Sequence, residues 1–248
     1  MGCGWLGLPL AIELSLKEYL IKGSTTSNDK LKALKSNDIQ PFIINLSNRE
    51  PIYDQFLNSE ILIIAIPSKN INDFQYLISK IETSIIKKVL FISSTSVYPN
   101  NNSTITEESP TKKVPLTEIE NLFNTNKKFK TTILRFGGLI GYNRKPGNFF
   151  KNGKVIDHPE GFVNLIHRDD CIQIIESIIE KEIWNETLNA CTDTHPKRRE
   201  FYTKEFKKEG RNSPLFNQTS TNDYKIVENN KLKKLLNYNF KHSDLMMY

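Results

Sequence analysis

Gly2-Cys3-Gly4-Trp5-Leu6-Gly7 is the stretch that decides the fold. It precedes an apolar segment, from Leu8 onward, that has the length and periodicity of an α-helix. In such a turn the first glycine permits a tight bend and the second lets the backbone approach a phosphate. The third lets the helix pack closely on a strand, and the phosphate meets the N–H groups at the helix N-terminus. The sequence therefore predicts a phosphate-binding turn.

The segments that follow alternate between helical periodicity and short β-branched runs. The strongest strand signal is the run ILIIAI at residues 61–66, which ends at Pro67. A continuous apolar run of this kind predicts a strand buried on both faces. Alternating strands and helices favour a parallel sheet covered by helices. A glycine turn in this context predicts an α/β fold, a Rossmann-type doubly wound parallel sheet that binds a dinucleotide.

The alternation loosens beyond Gly137, where a segment rich in Gly, Pro and Asn extends to Gly153. We predict a dinucleotide-binding Rossmann domain over residues 1–141. Residues 142–248 are predicted to be a mixed region, with a smaller substrate domain and late elements of the Rossmann sheet. A polar loop at residues 99–110 is a candidate lid.

The strand that should precede the glycine turn is not visible, because only Met1 stands before Gly2. In the strand order 3-2-1-4-5-6 the first strand is central. We therefore expect a truncated first strand and a gap in the sheet, with unpaired backbone groups on both neighbouring strands. We also expect that the natural chain starts upstream of Met1 or that this product is poorly stable.

Composition excludes several classes of protein. No apolar stretch approaches the roughly 20 residues of a membrane span. The three cysteines are far apart, which indicates neither a disulfide framework nor a metal site and favours a reducing cytoplasm. The net charge of +6 comes largely from scattered lysine pairs, which favour a solvated surface. Because no nucleic-acid motif is visible, nucleic-acid binding is the weakest functional hypothesis.

The predicted second strand ends in TTSN at residues 25–28, where an acidic residue would bond the ribose hydroxyls of NAD. Thr26 and Ser27 supply hydroxyl groups instead, and Lys30 lies close by. This pattern favours the 2′-phosphate of NADP. The alternative is that Asp29, slightly later in the chain, takes the acidic role and that NAD is bound.

Three further motifs carry a resemblance to a known family: SSTSVY at residues 93–98, LRFGGLIG at 134–141 and VNLIHRDD at 163–170. With the glycine turn, they make the chain resemble the extended short-chain dehydrogenase/reductases, the NAD-dependent epimerase/dehydratase group. The chain looks closest to an atypical bacterial branch with a GCGWLG turn. The resemblance implies a Rossmann domain, a small C-terminal substrate domain and a small-molecule substrate.

The resemblance also implies roles for individual residues. Ser94 would bond the substrate oxygen, with Thr95 as the alternative. Arg135 lies close to Gly137 and Gly138 in the sequence, but a structural ion pair explains it equally well. Asp169, in the late motif that also contains His167, is interpreted as the N-cap of a helix. The candidate cofactor-binding residues are Gly2, Gly4, Trp5, Leu6, Gly7, Thr26, Ser27, Ala65, Pro67, Ser93, Gly137, Gly138 and Leu139.

The Tyr-x-x-x-Lys pair that this family uses for proton transfer is missing from the helix after the serine strand. Tyr98 and Glu118 are the nearest replacements as acid or base, and we take Ser94 and Tyr98 as the candidate catalytic residues. The leading hypothesis is a cytoplasmic NAD(P)-dependent oxidoreductase or epimerase that acts on a small sugar-like or nucleotide-linked substrate. The alternative is a catalytically silent NADP-binding sensor or regulatory protein.

Overall fold

Ten β-strands and eight α-helices form in the residues described by the computed structural model, which are 1–49, 52–151 and 153–248. The strands are β1 (Lys22–Thr25), β2 (Gln40–Ile43), β3 (Ile61–Ile64), β4 (Lys88–Ser94), β5 (Ser103–Ile105), β6 (Lys130–Phe136), β7 (Gly138–Ile140), β8 (Leu165–His167), β9 (Thr187–Ala190) and β10 (Lys225–Val227). The helices are α1 (Gly7–Leu16), α2 (Leu31–Lys35), α3 (Tyr53–Phe56), α4 (Ile71–Glu82), α5 (Pro115–Asn124), α6 (Arg168–Glu180), α7 (Arg198–Lys208) and α8 (Asn230–Leu236).

The strands form one four-stranded sheet, in the order β3-β4-β6-β9, and three pairs: β1-β2, β5-β10 and β7-β8. β1 runs parallel to β2 and β3 runs parallel to β4, with Lys22 opposite Gln40 and Ile61 opposite Lys88. A helix separates the two strands of each of these pairs in the chain, as a parallel crossover requires. The predicted α/β fold with parallel sheets is confirmed.

Backbone contacts divide the chain into two compact units. Unit 1 comprises residues 1–93, 113–134 and 172–187, and unit 2 comprises residues 94–112, 135–171 and 188–248. Because the chain passes several times from one unit to the other, neither is a continuous segment. The domain boundary expected at residue 141 stays a prediction.

The core of unit 1 forms where α4 and α5 cover one face of β4. Phe91 of β4 stacks on Phe123 of α5 at 5.0 Å between ring centroids, and Phe74 of α4 meets Phe91 edge-on at 5.7 Å. All three rings are buried. In α4 the buried residues are Phe74, Leu77, Ile78 and Ile81, which share one face of the helix. The Asn70 side chain caps α4 by accepting a hydrogen bond from the Asn72 N–H at 3.1 Å.

The sheet of unit 1 is interrupted between β1 and β3. Each pairs with another strand on one side only, and in the described residues no strand lies against its other edge. β3 ends at Ile64 rather than at residue 66, and burial alternates along it. Leu62 and Ile64 are buried, whereas Ile61 and Ile63 are half-buried. The expectation of burial on both faces is wrong for these two side chains, because an open cavity lies beside them.

The candidate lid at residues 99–110 belongs to unit 2 and is held in place there. It contains β5, which the sequence did not predict and which pairs in parallel with β10 from Ser103 to Ile105. The Asn102 N–H also donates to the Tyr224 carbonyl at 2.9 Å. A segment anchored by a strand pair is not a free lid, so that expectation is wrong.

One hydrophobic cluster of unit 2, against which Met246 and Tyr248 pack, is formed by Ile140, Ile156, Val163, Leu165, Phe201, Tyr202 and Leu245. In the described part of the chain, no helix is long and apolar enough to cross a lipid bilayer.

Candidate functional site

Gly2 occupies a position in unit 1 that excludes a side chain. Its φ of +86° lies in the left-handed region that favours glycine. A Cβ atom at Gly2 would stand 2.6 Å from the Ala65 carbonyl oxygen and 2.6 Å from Cγ2 of Ile66. The turn is therefore pressed against the loop that follows β3, as expected for the first glycine.

Gly7 and Gly4 differ sharply in their surroundings. A Cβ atom on Gly7 would lie only 2.2 Å from the Gly2 carbonyl oxygen, so the start of α1 packs directly on the turn. A Cβ atom on Gly4 would meet no described heavy atom within 4 Å beyond its immediate chain neighbours, and Gly4 is exposed. Close packing therefore explains Gly2 and Gly7 but not Gly4.

The turn is anchored between the carboxyl ends of two strands. Ser24, near the end of β1, accepts a hydrogen bond from the Gly2 N–H through Oγ at 3.1 Å and from the Cys3 N–H through its carbonyl at 2.7 Å. The Ala65 N–H, just after β3, donates to the Met1 carbonyl at 3.0 Å. Ligands of open α/β sheets bind at this edge. Ser24 is a positioning residue that the sequence analysis missed, since nothing in a serine within a strand marks its partner.

The N-terminus of α1 carries partial positive charge from its aligned peptide dipoles. Within the described chain, its first turn contains no acidic side chain and its N-cap residue, Leu6, supplies no capping side chain. Leu6 is buried and Trp5 is half-buried, so both support the turn. This helix end is suited to an anion.

Hydroxyl groups and one carboxylate cluster at the end of β1. Thr26 is exposed, Ser27 is half-buried, and the Thr25 Oγ1 accepts a hydrogen bond from the Ser27 N–H at 3.2 Å. The Ser27 hydroxyl donates to the Asp29 carboxylate, and Lys30 is exposed. The Asp29 carboxylate is thus hydrogen-bonded to Ser27, a predicted cofactor-binding residue. Asp29 lies slightly later in the chain than the acidic residue that usually bonds the ribose.

Ser93 ends the unit 1 part of β4 and is paired with an acid that the sequence analysis did not single out. Its hydroxyl donates to Oε1 of Glu120 at 2.5 Å, and both residues are buried. Glu118, a candidate acid or base from the sequence, is exposed on the same helix, α5. The helical repeat could have suggested that Glu120 is buried, because it follows the buried Ile119. Its partner Ser93, however, is 27 positions away in the chain.

Ser94 and Thr95 are the first residues of the following segment of unit 2. Oγ of Ser94 accepts a hydrogen bond from the Ser96 N–H at 3.1 Å and so caps a short 3-10 helix at residues 95–97. This bond uses an oxygen lone pair and leaves the hydroxyl hydrogen for donation. Thr95 is buried, whereas Ser94 is half-buried. Ser94 is therefore the more accessible of the two hydroxyl groups.

Tyr98 lies fully buried in a polar network of unit 2. Its hydroxyl accepts a hydrogen bond from Nη1 of Arg135 at 2.6 Å and donates to Oδ1 of Asn189 at 2.9 Å. The Lys225 ammonium donates to the Tyr98 carbonyl at 2.8 Å. Burial raises the pKa of Tyr98, and the nearby Arg135 opposes this change only in part. These contacts favour a structural role, and the catalytic role of Tyr98 stays a prediction.

The glycines at 137 and 138 are required by packing inside unit 2. A Cβ atom on Gly137 would lie 2.7 Å from Sγ of Cys191, and one on Gly138 would lie 2.6 Å from Cδ2 of Leu165. The Gly138 N–H donates to the Asn164 carbonyl at 2.8 Å. Leu139 is half-buried. Packing against Cys191 thus accounts for Gly137, and contact with Leu165 of β8 accounts for Gly138, without a ligand.

Asp169 is the centre of an ion-pair network in unit 2. The prediction that it caps a helix is wrong: α6 begins at Arg168, and Nδ1 of His167 accepts the Asp169 N–H at 3.2 Å. The Asp169 carboxylate accepts from the Tyr142 hydroxyl at 2.8 Å and from the Lys241 ammonium at 3.1 Å. Burial alone would raise the pKa of Asp169, but these bonds and one from His242 outweigh it and lower the pKa to about 2.

This network is also the one group of potential metal ligands found among the described residues. Ligand atoms of His167, Asp169 and His242 lie within 4.8 Å of one another. The Lys241 ammonium already lies against Oδ2 of Asp169, and Nε2 of His242 is 3.2 Å from the same oxygen. The contacts describe internal ion pairing, and we assign no metal to the group.

The predicted site residues therefore form two separate sets. In unit 1 the structure brings the glycine turn together with Ala65 and the end of β1. Pro67 follows Ala65 in the same loop, and Ser93 is held by Glu120. The remaining predicted site residues belong to unit 2. They are Ser94, Tyr98 and residues 137–139, and each makes its own set of contacts there.

Comparisons with known proteins agree with this fold. No protein-family model matches the chain. Protein YeeZ of Escherichia coli strain K12 is 28% identical in an alignment of 262 residues, which covers 98% of this chain and 95% of YeeZ. A candidate NAD-dependent epimerase/dehydratase from Methylobacillus flagellatus has a TM-score of 0.78 at 21% identity, over 99% of this chain and 93% of that one.

UDP-glucuronic acid 4-epimerase of Bacillus cereus, solved in complex with UDP-glucuronic acid and NAD, is a further structural neighbour. It has a TM-score of 0.77 at 18% identity, over 98% of this chain and 93% of that one. The chain thus shares its fold with NAD-binding epimerase and dehydratase structures.

Replacing Tyr98 with phenylalanine should destabilise the protein. The Tyr98→Phe variant removes two buried hydrogen bonds, one from Nη1 of Arg135 and one to Oδ1 of Asn189, which costs about 1–3 kcal/mol. Urea unfolding measures the change. Tyr19→Phe, at an exposed position, is the matched control and should differ from the wild type by less than about 0.5 kcal/mol. An unchanged unfolding free energy for Tyr98→Phe would contradict the structural role.

The lowered pKa of Asp169 makes stability depend on pH. The pKa of its carboxyl group is about 2 in the folded chain and ordinarily 3.8. The ionised carboxylate therefore stabilises the fold fully at pH values above 3.8. This contribution should be lost as the pH falls from about 4 to about 2. Unfolding free energies measured across that interval should fall less steeply for Asp169→Asn than for the wild type. Asp54→Asn, on an exposed position of α3, should keep the wild-type slope; equal slopes for all three proteins would refute the assignment.

Proposed function

We propose that this chain binds a nicotinamide dinucleotide, with the pyrophosphate on the glycine turn at the start of α1. The turn lies at the carboxyl ends of β1 and β3, where ligands of open α/β sheets bind. The positive end of the α1 dipole favours a phosphate, and no acidic side chain competes in the first turn of that helix as described.

The observation that carries this proposal is the open surrounding of Gly4. Gly2 and Gly7 are glycines because a Cβ atom would overlap neighbouring backbone. Gly4 has neither a positive φ nor a close neighbour, so the folded chain alone does not require a glycine there. A backbone that a phosphate must approach closely does require one. The free space above Gly4 thus fits the pyrophosphate of a dinucleotide.

The ribose end of the cofactor would lie at the end of β1. Residues 25–28 favour NADP because they lack an acid, and the exposed Lys30 could meet a 2′-phosphate. The bond from Ser27 to Asp29 instead supports a carboxylate near the ribose hydroxyls, which favours NAD. The structural neighbour from Bacillus cereus was solved with NAD. We therefore propose a nicotinamide cofactor of either form, and parallel titrations decide between them.

We further propose an activity of the epimerase/dehydratase type on a small nucleotide-linked, sugar-like substrate. When bound, the nicotinamide supplies hydride transfer. Ser94 would donate its free hydroxyl hydrogen to the substrate oxygen, and its bond from the Ser96 N–H would hold the side chain in place. Gly137, Gly138 and Leu139 would lie beside the nicotinamide.

A second candidate function is supported by the surroundings of Tyr98. An acid or base must reach the reacting oxygen, yet the Tyr98 hydroxyl is fully buried and bonded to Arg135 and Asn189. With no Tyr-x-x-x-Lys pair on α5, this enclosure favours a catalytically silent protein that binds the dinucleotide as a sensor.

Alanine at position 4 should separate binding from folding. A Cβ atom at Gly4 fits the folded chain but intrudes on the phosphate position, so Gly4→Ala should lower the affinity for NADH or NADPH about tenfold or more. Its unfolding free energy should stay within about 1 kcal/mol of the wild-type value. Calorimetric titration measures the affinity for each dinucleotide, and urea unfolding measures the stability.

Gly7→Ala is the matched comparison, because its added Cβ would overlap the Gly2 carbonyl. It should lose about 1–3 kcal/mol of unfolding free energy. Wild-type affinity in Gly4→Ala, or the absence of saturable binding of either dinucleotide to the wild type, would overturn the proposed pyrophosphate site.

Turnover should distinguish the enzyme from the sensor. Wild-type protein is assayed with each dinucleotide and a panel of UDP-sugars, and products are followed by chromatography. If Ser94 bonds the substrate oxygen, Ser94→Ala should lose about a hundredfold in kcat or more. The variant should retain the wild-type affinity for the dinucleotide. Binding of a dinucleotide without turnover of any substrate would favour the sensor over the enzyme.

A further inference from the structure

A polar pocket of about 200 Å³ lies within unit 2, to which all its lining residues belong. They come chiefly from the segment that leads into β8, from α7 and from the start of β10. We call this space the basic pocket. Its volume is below the roughly 300–1,000 Å³ of pockets for drug-sized ligands, so it suits a smaller molecule. The lining residues that matter most here are His158, Phe162, Arg198, Tyr202, Tyr224 and Lys225.

Two cations line the basic pocket, and in the described chain neither is paired with a carboxylate. The half-buried Lys225 ammonium donates to the Tyr98 carbonyl at 2.8 Å. Nε of Arg198 donates to the Asp157 carbonyl at 2.9 Å, which leaves four guanidinium N–H groups for other acceptors. Burial lowers the pKa of Lys225 to about 8, and the charge of Lys112 adds to this effect. A bound anion would relieve both.

The Tyr202 hydroxyl is a further donor that lines the basic pocket. Tyr202 is only 4% exposed, and its hydroxyl has no hydrogen-bond partner among the residues that the structure describes. Its ring packs edge-on against Phe150 at 4.8 Å between centroids. A buried hydroxyl without a partner is unfavourable. The oxygen of a bound molecule would supply the missing acceptor.

The remaining lining suits a molecule with a ring and hydroxyl groups. Phe162 meets Tyr224 edge-on at 4.9 Å between centroids and forms an aromatic wall. Asp223 is the one acid among the described lining residues. Its carboxylate accepts the Thr221 hydroxyl at 2.8 Å and has further lone pairs for the hydroxyl groups of a ligand. Nδ1 of His158 accepts the Asp223 N–H at 3.1 Å, as in a neutral histidine.

We propose that the basic pocket binds a small sugar acid or sugar phosphate, whose anionic group is held by Lys225, Arg198 and the Tyr202 hydroxyl. Carboxylate and phosphate share the oxygen acceptors that ammonium and guanidinium groups bind. A neutral sugar would leave both cations without a counter-charge. An inorganic anion would leave the aromatic wall uncovered. The proposal goes beyond the proposed function, because it concerns unit 2 alone and requires no dinucleotide.

The test is a calorimetric titration of the full chain, without any dinucleotide, with glucose 6-phosphate, glucuronate and glucose. At least one charged sugar should bind saturably and about tenfold or more tightly than glucose. The tighter of the two identifies the anion as phosphate or carboxylate. Binding should also raise the pKa of Lys225, because a nearby anion favours the ammonium form. The carbon-13 NMR shift of its ε-carbon follows that pKa.

Two variants each remove one donor from the basic pocket. Tyr202→Phe should weaken binding about fivefold or more without lowering the unfolding free energy, since the hydroxyl has no partner in the described chain. Lys225→Met should weaken binding about tenfold or more. Lys234→Met, which makes the same charge change at an exposed position of α8, is the matched control and should keep the wild-type affinity.

The proposal is overturned if neither charged sugar binds or if glucose binds as tightly as they do. Wild-type affinity in Tyr202→Phe or in Lys225→Met would overturn it too. Equal losses in Lys225→Met and Lys234→Met would reduce the effect to general attraction and contradict a built site. If Lys225→Met does not fold, Tyr202→Phe and the NMR titration decide. Because no dinucleotide is present, these results and the test of the proposed function can fail independently.

Discussion

The anchoring of the glycine turn between β1 and β3 is the constraint on which the rest of unit 1 depends. Ser24 accepts the backbone N–H groups of Gly2 and Cys3, and Ala65 donates to Met1, so the turn is tied to the carboxyl end of each strand. Gly7 then packs α1 on the Gly2 carbonyl. Because these contacts fix where the helix begins, they also fix where the positive end of its dipole can meet an anion. The open position at Gly4 follows from the same arrangement.

The polar groups expected to take part in chemistry are mostly engaged within the protein. Ser93 is bonded to Glu120, and Tyr98 to Arg135 and Asn189, in buried surroundings where an unpaired polar group would be costly. Ser94 differs, because its side chain is half-buried and its hydroxyl hydrogen is free to donate. The phosphate position at Gly4 is therefore open, whereas the buried proton-transfer candidate Tyr98 is enclosed.

Much of the fold could be predicted from the sequence, because helix periodicity, β-branched runs and glycine spacing are local properties. The α/β class and parallel pairing followed from them. The errors arose where distant partners decide the outcome. The loop at residues 99–110 is held by β10, far along the chain, and Ile61 and Ile63 are exposed to the cavity beside their strand. The error at α6 is local instead: His167, two residues before Asp169, accepts a hydrogen bond at the helix N-terminus, and histidine is not among the usual N-cap residues.

The sequence by itself determined where the glycine turn lies and that a helix follows it, since backbone freedom and helical periodicity depend only on neighbouring residues. It could not distinguish the three glycines. Only the tertiary structure decided that Gly2 and Gly7 are pressed against backbone while Gly4 is open, because that difference depends on Ala65 and on the folding of the turn back on itself. The burial of Tyr98 and the pairing of Ser93 with Glu120 were likewise decided by residues far apart in the chain, brought together by packing.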